Sequence, residues 1–206
     1  ASPVESTQIQ QVYPKGKIRL AENLPKKITT GNSIERQDFV NVGRISEVKN
    51  SLKMVSLFSE FSEPKLTMVG TTDDPEYLNQ CLNSASFNTF FIPGLNPKEV
   101  GEKLESSKFY ISMTSGENFG HAIIEALACG CPVIISDQTP WNDLESFGAG
   151  WVIPLADEER WKSVINMANV MEEADYFRMS ERAKEYVSSK FNFAELRQQY
   201  LKLFSE

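Results

Sequence analysis

From Asp38 onward, short runs of apolar residues alternate with longer stretches whose apolar positions return every three or four residues. The short runs are Phe39–Val42, Leu66–Val69, Thr89–Ile92, Phe109–Ser112, Pro132–Ile135 and Gly150–Ile153. They are close to continuously apolar, the pattern of strands whose two faces are both covered by helices. Leu52–Phe61, Pro75–Leu82, Pro97–Leu104 and Asn118–Cys129 lie between them and read as helices. Strands that alternate with helices predict an α/β fold, a doubly wound parallel sheet over 38–153. Beyond it the pattern is helical, with Trp161, Val164, Ile165 and Ala168 on one face. Phe193, Leu196, Tyr200 and Leu203 continue that spacing in an expected final helix.

The first 37 residues differ. Lys17–Leu20 could form one short strand, but Pro25–Gln37 is polar and aperiodic and reads as linker. The expected division is an arm over 1–37 and one domain over 38–206. Ligands of open parallel sheets bind at the carboxyl ends of the strands, near a topological switch point. The places to inspect are therefore Gly43-Arg44, Gly70, Pro93-Gly94, Thr114–Glu117 and Ser136–Trp141.

The most informative stretch is Met113–Pro140. A strand ends at Ser112, a turn of small residues comes next, and a helix is expected to start near Asn118. Gly130 is placed to stop that helix in the left-handed conformation, before Cys131-Pro132 opens the next strand. A helix N-terminus behind Thr114, Ser115 and Gly116 can bind an anion through unpaired N–H groups and the positive end of the dipole. Glu117 stands at the helix entrance and Glu125 within it. Seven residues separate Asn118 from Glu125, which in a helix is nearly one face and ~10 Å of length. That span would suit a diphosphate with a hydroxyl-bearing group at each end. On these residues alone, Glu117 could equally complement the dipole and Glu125 could sit in an ion pair.

Composition narrows the partners. The chain has 206 residues, 41% hydrophobic and 24% charged, as in ordinary globular proteins. A net charge of -7 argues against a nucleic-acid backbone as the main partner. Three cysteines, Cys81, Cys129 and Cys131, are an odd and sparse set that suggests a reducing compartment. Cys129 and Cys131 with His121 could suggest zinc, but no fourth ligand is evident and no metal is expected. No apolar run reaches the roughly 20 residues of a spanning helix, and no signal peptide opens the chain. A cytoplasmic location is the expectation, with the complete protein at most peripheral to a membrane. The start at Ala1 suggests a fragment.

The run Glu117-Asn118-Phe119-Gly120, then Glu125-Ala126, Ala128, Gly130 and Pro132-Val133-Ile134, resembles the glutamate-x7-glutamate signature of retaining group-1 glycosyltransferases. These enzymes have the GT-B fold, and the signature lies in their C-terminal Rossmann-like domain. Val42-Gly43-Arg44 followed by Lys49 looks like the family's first strand and its basic pair. The resemblance runs from about Asp38 to the end and weakens beyond Pro154. It departs at Ser107-Lys108, where the family often has Ala-Asp, and at Thr114-Ser115, where Pro-Ser is frequent.

The resemblance implies that Glu117 contacts the donor sugar and helps stabilise positive charge at the anomeric carbon. Glu125 would hold ribose hydroxyls, and Arg44 and Lys49 the diphosphate. Ser115, Gly116, Asn118, Phe119, Gly120 and His121 would line the donor with amides and side chains. His121 could instead be a packing or surface histidine, and Trp141 could line the crevice or belong to the core. The donor would be a nucleotide sugar, bound without a metal cofactor, because no Asp-x-Asp pair stands at a strand end. The acceptor would come from an N-terminal domain outside this chain, so the chain alone is not expected to transfer sugar. A nucleotide-sugar epimerase, a phosphorylase half, or a non-catalytic doubly wound module are the alternatives. A receiver domain, a dinucleotide oxidoreductase and a P-loop enzyme are disfavoured, because their acidic pair, Gly-x-Gly-x-x-Gly and Gly-Lys-Ser/Thr are all missing.

Overall fold

The computed structural model describes residues 10–13 and 36–192, together with Gln198 and Leu201. The expected strand at Lys17–Leu20, most of the expected final helix through Phe193–Leu203, and most of the expected linker lie outside the described residues. The elements in chain order are β1 (Gln37–Val42), α1 (Ser51–Phe58), β2 (Leu66–Val69), α2 (Pro75–Ser84), β3 (Thr89–Ile92), α3 (Pro97–Ser106) and β4 (Ser107–Ser112). They continue with α4 (His121–Ala128), β5 (Val133–Ser136), α5 (Leu144–Phe147), β6 (Gly150–Ile153), α6 (Glu158–Asn169) and α7 (Glu173–Lys190).

The strands form one six-stranded sheet in the order β3-β2-β1-β4-β5-β6, and every pairing is parallel. Successive strand residues point to opposite faces, so each strand feeds two cores. Phe39, Met68, Phe109, Ile111 and Ile134 pack with Met54 and Phe58 of α1 and Trp161 and Ile165 of α6. Val40, Tyr110, Val133 and Ile135 pack with Leu104 of α3, Ile123 and Leu127 of α4, and Tyr186 of α7. The expected doubly wound parallel sheet is present. Its strand order reverses direction between β1 and β4, so a crevice opens beyond the carboxyl ends of those two strands.

Helix boundaries differ from the sequence expectation at one place that matters. The helix expected from Asn118 begins at His121. Gly120 stands at φ 78°, ψ 59°, a left-handed conformation that cannot continue a right-handed helix backwards through Phe119 and Asn118. Glu117, Asn118 and Phe119 therefore belong to a loop, and the expected single helical face joining Asn118 to Glu125 does not exist. The helix ends as expected. Gly130 is left-handed at φ 68°, and Gly130 N–H donates to the Leu127 carbonyl and Cys131 N–H to the Ala126 carbonyl, both at 2.9 Å. These two bonds make a Schellman motif.

Candidate functional site

The site is assembled by three loops. The first comes after β1. Arg44 is exposed, and its Nη1 lies 3.2 Å from Asp73 Oδ2 of the loop after β2. Lys49 sits in the turn before α1 rather than at its start. Asn50 closes that turn at φ 49° and donates through Nδ2 to the Met113 carbonyl at 2.8 Å. This bond ties the β1 loop to the second loop, residues 113–120.

The second loop is fastened on both sides. The Val48 carbonyl accepts from Ser115 N–H at 2.8 Å, from the Ser115 hydroxyl at 3.0 Å and from the Thr114 hydroxyl at 3.2 Å. Glu117 N–H donates to the Gln138 carbonyl of the third loop, after β5, at 3.1 Å. The Ser136 hydroxyl donates to the Thr114 carbonyl at 2.6 Å. Held this way, Glu117 directs Oε2 onto Lys49 Nζ, and the two side chains are only 23% and 27% exposed. The structure thus brings a predicted phosphate-binding cation against the predicted catalytic carboxylate.

Helix α4 starts with no side-chain cap on its amides. Its first-turn N–H groups at His121 and Ala122 are available to an acceptor from outside the helix. Glu125 lies one turn further along α4 and is partly exposed. Burial above all pushes the nearby Tyr110 phenol above its ordinary value, against a hydrogen bond with Ser112 and with smaller contributions from the negative charges of Glu117 and Glu125. The two glutamates do not share a helix face.

Beside this cluster lies a cavity of about 240 Å³ over the ends of β1, β2 and β3. Val42, Val69, Leu95 and Val100 supply apolar walls, and Arg44, Thr71 and Asp73 supply polar ones. The two glutamates do not line it, whereas Arg44 does. Gly70 permits the closure of its floor. A Cβ there would come within 1.8 Å of the Gly43 carbonyl oxygen.

The remaining sequence candidates fall unevenly. Ser115, Gly116 and Asn118 are exposed at the loop tip. The exposed His121 sets its ring 4.7 Å from that of Phe119 in a tilted arrangement, so it is a surface residue at the start of α4. The Phe119 ring packs against Trp141 and Phe191, which makes its side chain part of the core. Trp141 lies in that same aromatic cluster and donates its indole N–H to the Phe119 carbonyl. Burial pushes the Cys129 and Cys131 thiols up to about 12. Both are fully buried, the inert environment of packing cysteines. Asp73 and Gln138 were not singled out by the sequence. The only advance signal for them was their position in loops that come after strands.

Residues 26–186 match the family described as Glycosyl transferases group 1. The chain belongs to the group 1 glycosyl transferases. Poly(glycerol-phosphate) alpha-glucosyltransferase of Bacillus subtilis (strain 168), a relative of this group 1 chain, is 28% identical over 156 residues. That match covers 72% of this chain and 23% of the relative, so the chain spans about a quarter of the curated relative's length. A mutant of S. aureus TarM, solved with fondaparinux, alpha-GlcNAc-glycerol and UDP, superposes with a TM-score of 0.79 at 17% identity, over 100% of this chain and 43% of that one. The C-terminal domain of the group 1 protein LpcC from Francisella tularensis gives a TM-score of 0.66 at 12% identity, over 81% of this chain and 97% of that one. These likenesses establish the Rossmann-like half of the GT-B fold. Among the described residues, no helix is long and apolar enough to cross a membrane.

Proposed function

We propose that this chain is the donor-binding half of a retaining glycosyltransferase that moves a hexose from a nucleotide sugar to an acceptor. The observation that carries the proposal is the convergence at the β1/β4 switch point. There the loops after β1 and β4 bring Lys49 onto Glu117, close in sequence to the uncapped start of α4 and to the Arg44-lined cavity. Cations and aimed N–H groups stabilise the charge that develops on a departing diphosphate. Arg44, Lys49 and the amides at His121 and Ala122 form such a set, so the diphosphate is balanced without a metal. In the free chain Glu117 occupies Lys49; once a diphosphate takes the ammonium, the Glu117 carboxylate is left beside the sugar. There it accepts from hydroxyls and stabilises positive charge at the anomeric carbon. Glu125, one turn into α4, holds the ribose. Retention rests on the glutamate-x7-glutamate resemblance.

The acceptor in this reading is a glycan, lipid-linked saccharide or small molecule held by a domain outside these residues, a reading supported by the chain's covering 43% of TarM. The UDP bound to TarM and the glucosyl transfer in the Bacillus relative's name support a nucleotide-hexose donor. We place the protein in the cytoplasm, with nucleic acid not among its partners. A thermal-shift screen tests the class of ligand. Uridine and guanosine diphosphates are expected to raise the melting temperature, while nicotinamide dinucleotides leave it unchanged. The reverse result would remove the proposal.

A further inference from the structure

Trp141 has a connection that the donor chemistry does not itself require. Its indole N–H donates to the Phe119 carbonyl. Its ring meets Phe119 at 5.4 Å, Phe191 at 6.0 Å and Tyr186 at 6.4 Å, all edge to face. The surroundings hold it from below: the Tyr186 hydroxyl donates to Asp143 Oδ1 at 2.6 Å, Lys190 pairs with the other Asp143 oxygen, and Lys190 lies over the Tyr186 ring at 5.3 Å. The C-terminal end of α7 thus braces the loop after β5, and that loop presents the indole to the loop after β4.

The Phe119 carbonyl shares its peptide plane with the Gly120 N–H, at the entrance of α4. That peptide is planar and trans, so its carbonyl and its N–H point in opposite directions. A carbonyl turned toward the indole turns the Gly120 N–H away from the aromatic cluster. Gly120 is also the residue least able to resist a flip of that plane, since glycine tolerates both signs of φ. A flipped plane would aim a carbonyl where an anion is to be held. The other ties of the loop, at Ser115 and Glu117, lie upstream of this peptide.

We propose that Trp141 is a positioning residue that locks the Phe119–Gly120 peptide and thereby sets the anion-facing entrance of α4. The proposal rests on the donor-site reading for its functional consequence, but the peptide lock stands independently of it.

Trp141→Phe in the 206-residue chain keeps an aromatic ring in the cluster with Phe119, Tyr186 and Phe191 and removes the indole donor together with one ring's worth of packing volume. Two readouts separate positioning from mere packing. Amide hydrogen exchange at residues 117–121 should accelerate by about tenfold or more while exchange in β5 stays unchanged. Affinity for uridine diphosphate, measured well below the unfolding transition, should fall about 3- to 10-fold. A lower melting temperature with unchanged affinity and unchanged exchange would overturn the proposal. Should the variant fail to fold, the wild-type chain decides. Its Trp141 indole resonance, assigned from contacts to the Phe119 and Tyr186 rings, should move on titration with uridine diphosphate while that of Trp161 stays fixed. An unmoved Trp141 peak with nucleotide bound would overturn it. If the wild-type chain binds neither uridine nor guanosine diphosphate, the donor reading fails, and the exchange readout alone then decides the lock.

Discussion

Glu117 and Glu125 differ in what surrounds them, and that difference separates their expected mutant behaviour. Glu117 neutralises Lys49 in the free chain, so Glu117→Ala releases a cation at the diphosphate position. Uridine diphosphate should then bind as well as, or more tightly than, to the wild type, whereas sugar transfer by a complete enzyme is lost. Glu125→Ala should weaken the free nucleotide by roughly 1–3 kcal/mol, the loss usual for hydrogen bonds to a charged acceptor. Calorimetric titration of both variants checks the contrast, and equal losses would refute the division of roles. Arg44 gives a third case. Its pair with Asp73 is 67% and 86% exposed, and exposed pairs contribute about 0–1 kcal/mol. Arg44→Ala should therefore leave the melting temperature almost unchanged while lowering nucleotide affinity and its dependence on salt.

At the scale of elements, the helix that carries Glu125 shows where the sequence misleads. The turn of small residues after Ser112 suggests a start near Asn118, yet Gly120 in the left-handed region moves it to His121. A run of small residues is a local signal; the three loop ties at Val48, Gln138 and Trp141 come from residues far along the chain and could not be read from the run itself. Gly130 was legible because a helix stop with Pro132 close behind leaves few alternatives. Gly120→Ala tests the start. Its Cβ would come 2.8 Å from Ile123 Cδ1 and would adopt a conformation costing roughly 1–2 kcal/mol. Chemical denaturation should show at least that loss, together with weaker nucleotide binding; a variant as stable as the wild type would mean that the left-handed turn is dispensable.

Element docking also carries a pH signature. Burial raises the Asp143 carboxyl, but hydrogen bonds from Lys190 and Tyr186 outweigh it and hold the group below its ordinary value. A depressed carboxyl adds stability above the unfolded value, about 3.9, and loses it as pH falls through the lower folded value. The melting-temperature gap between the wild type and Asp143→Asn should accordingly be open at neutral pH and close in acid below that range. A gap that widened on acidification would place the interaction elsewhere.

For the whole molecule, the apolar runs revealed six parallel strands because burial on both faces leaves a strand little polar surface. Their order was not in the runs. Only the pairing of β1 with both β2 and β4 puts the Arg44–Lys49 loop and the Glu117 loop side by side, though 68 residues separate Lys49 from Glu117. The basic residues and the glutamates were legible as types in a resembling motif; their contact was not, because it depends on the sheet. The central claim is that this assembly balances a nucleotide diphosphate by protein groups alone. Isothermal titration of the chain with uridine and guanosine diphosphates, with and without a divalent-metal chelator, tests it most directly. The account predicts saturable binding of at least one of them, unchanged by chelator; binding that vanished with chelator, or no binding of either, would contradict it.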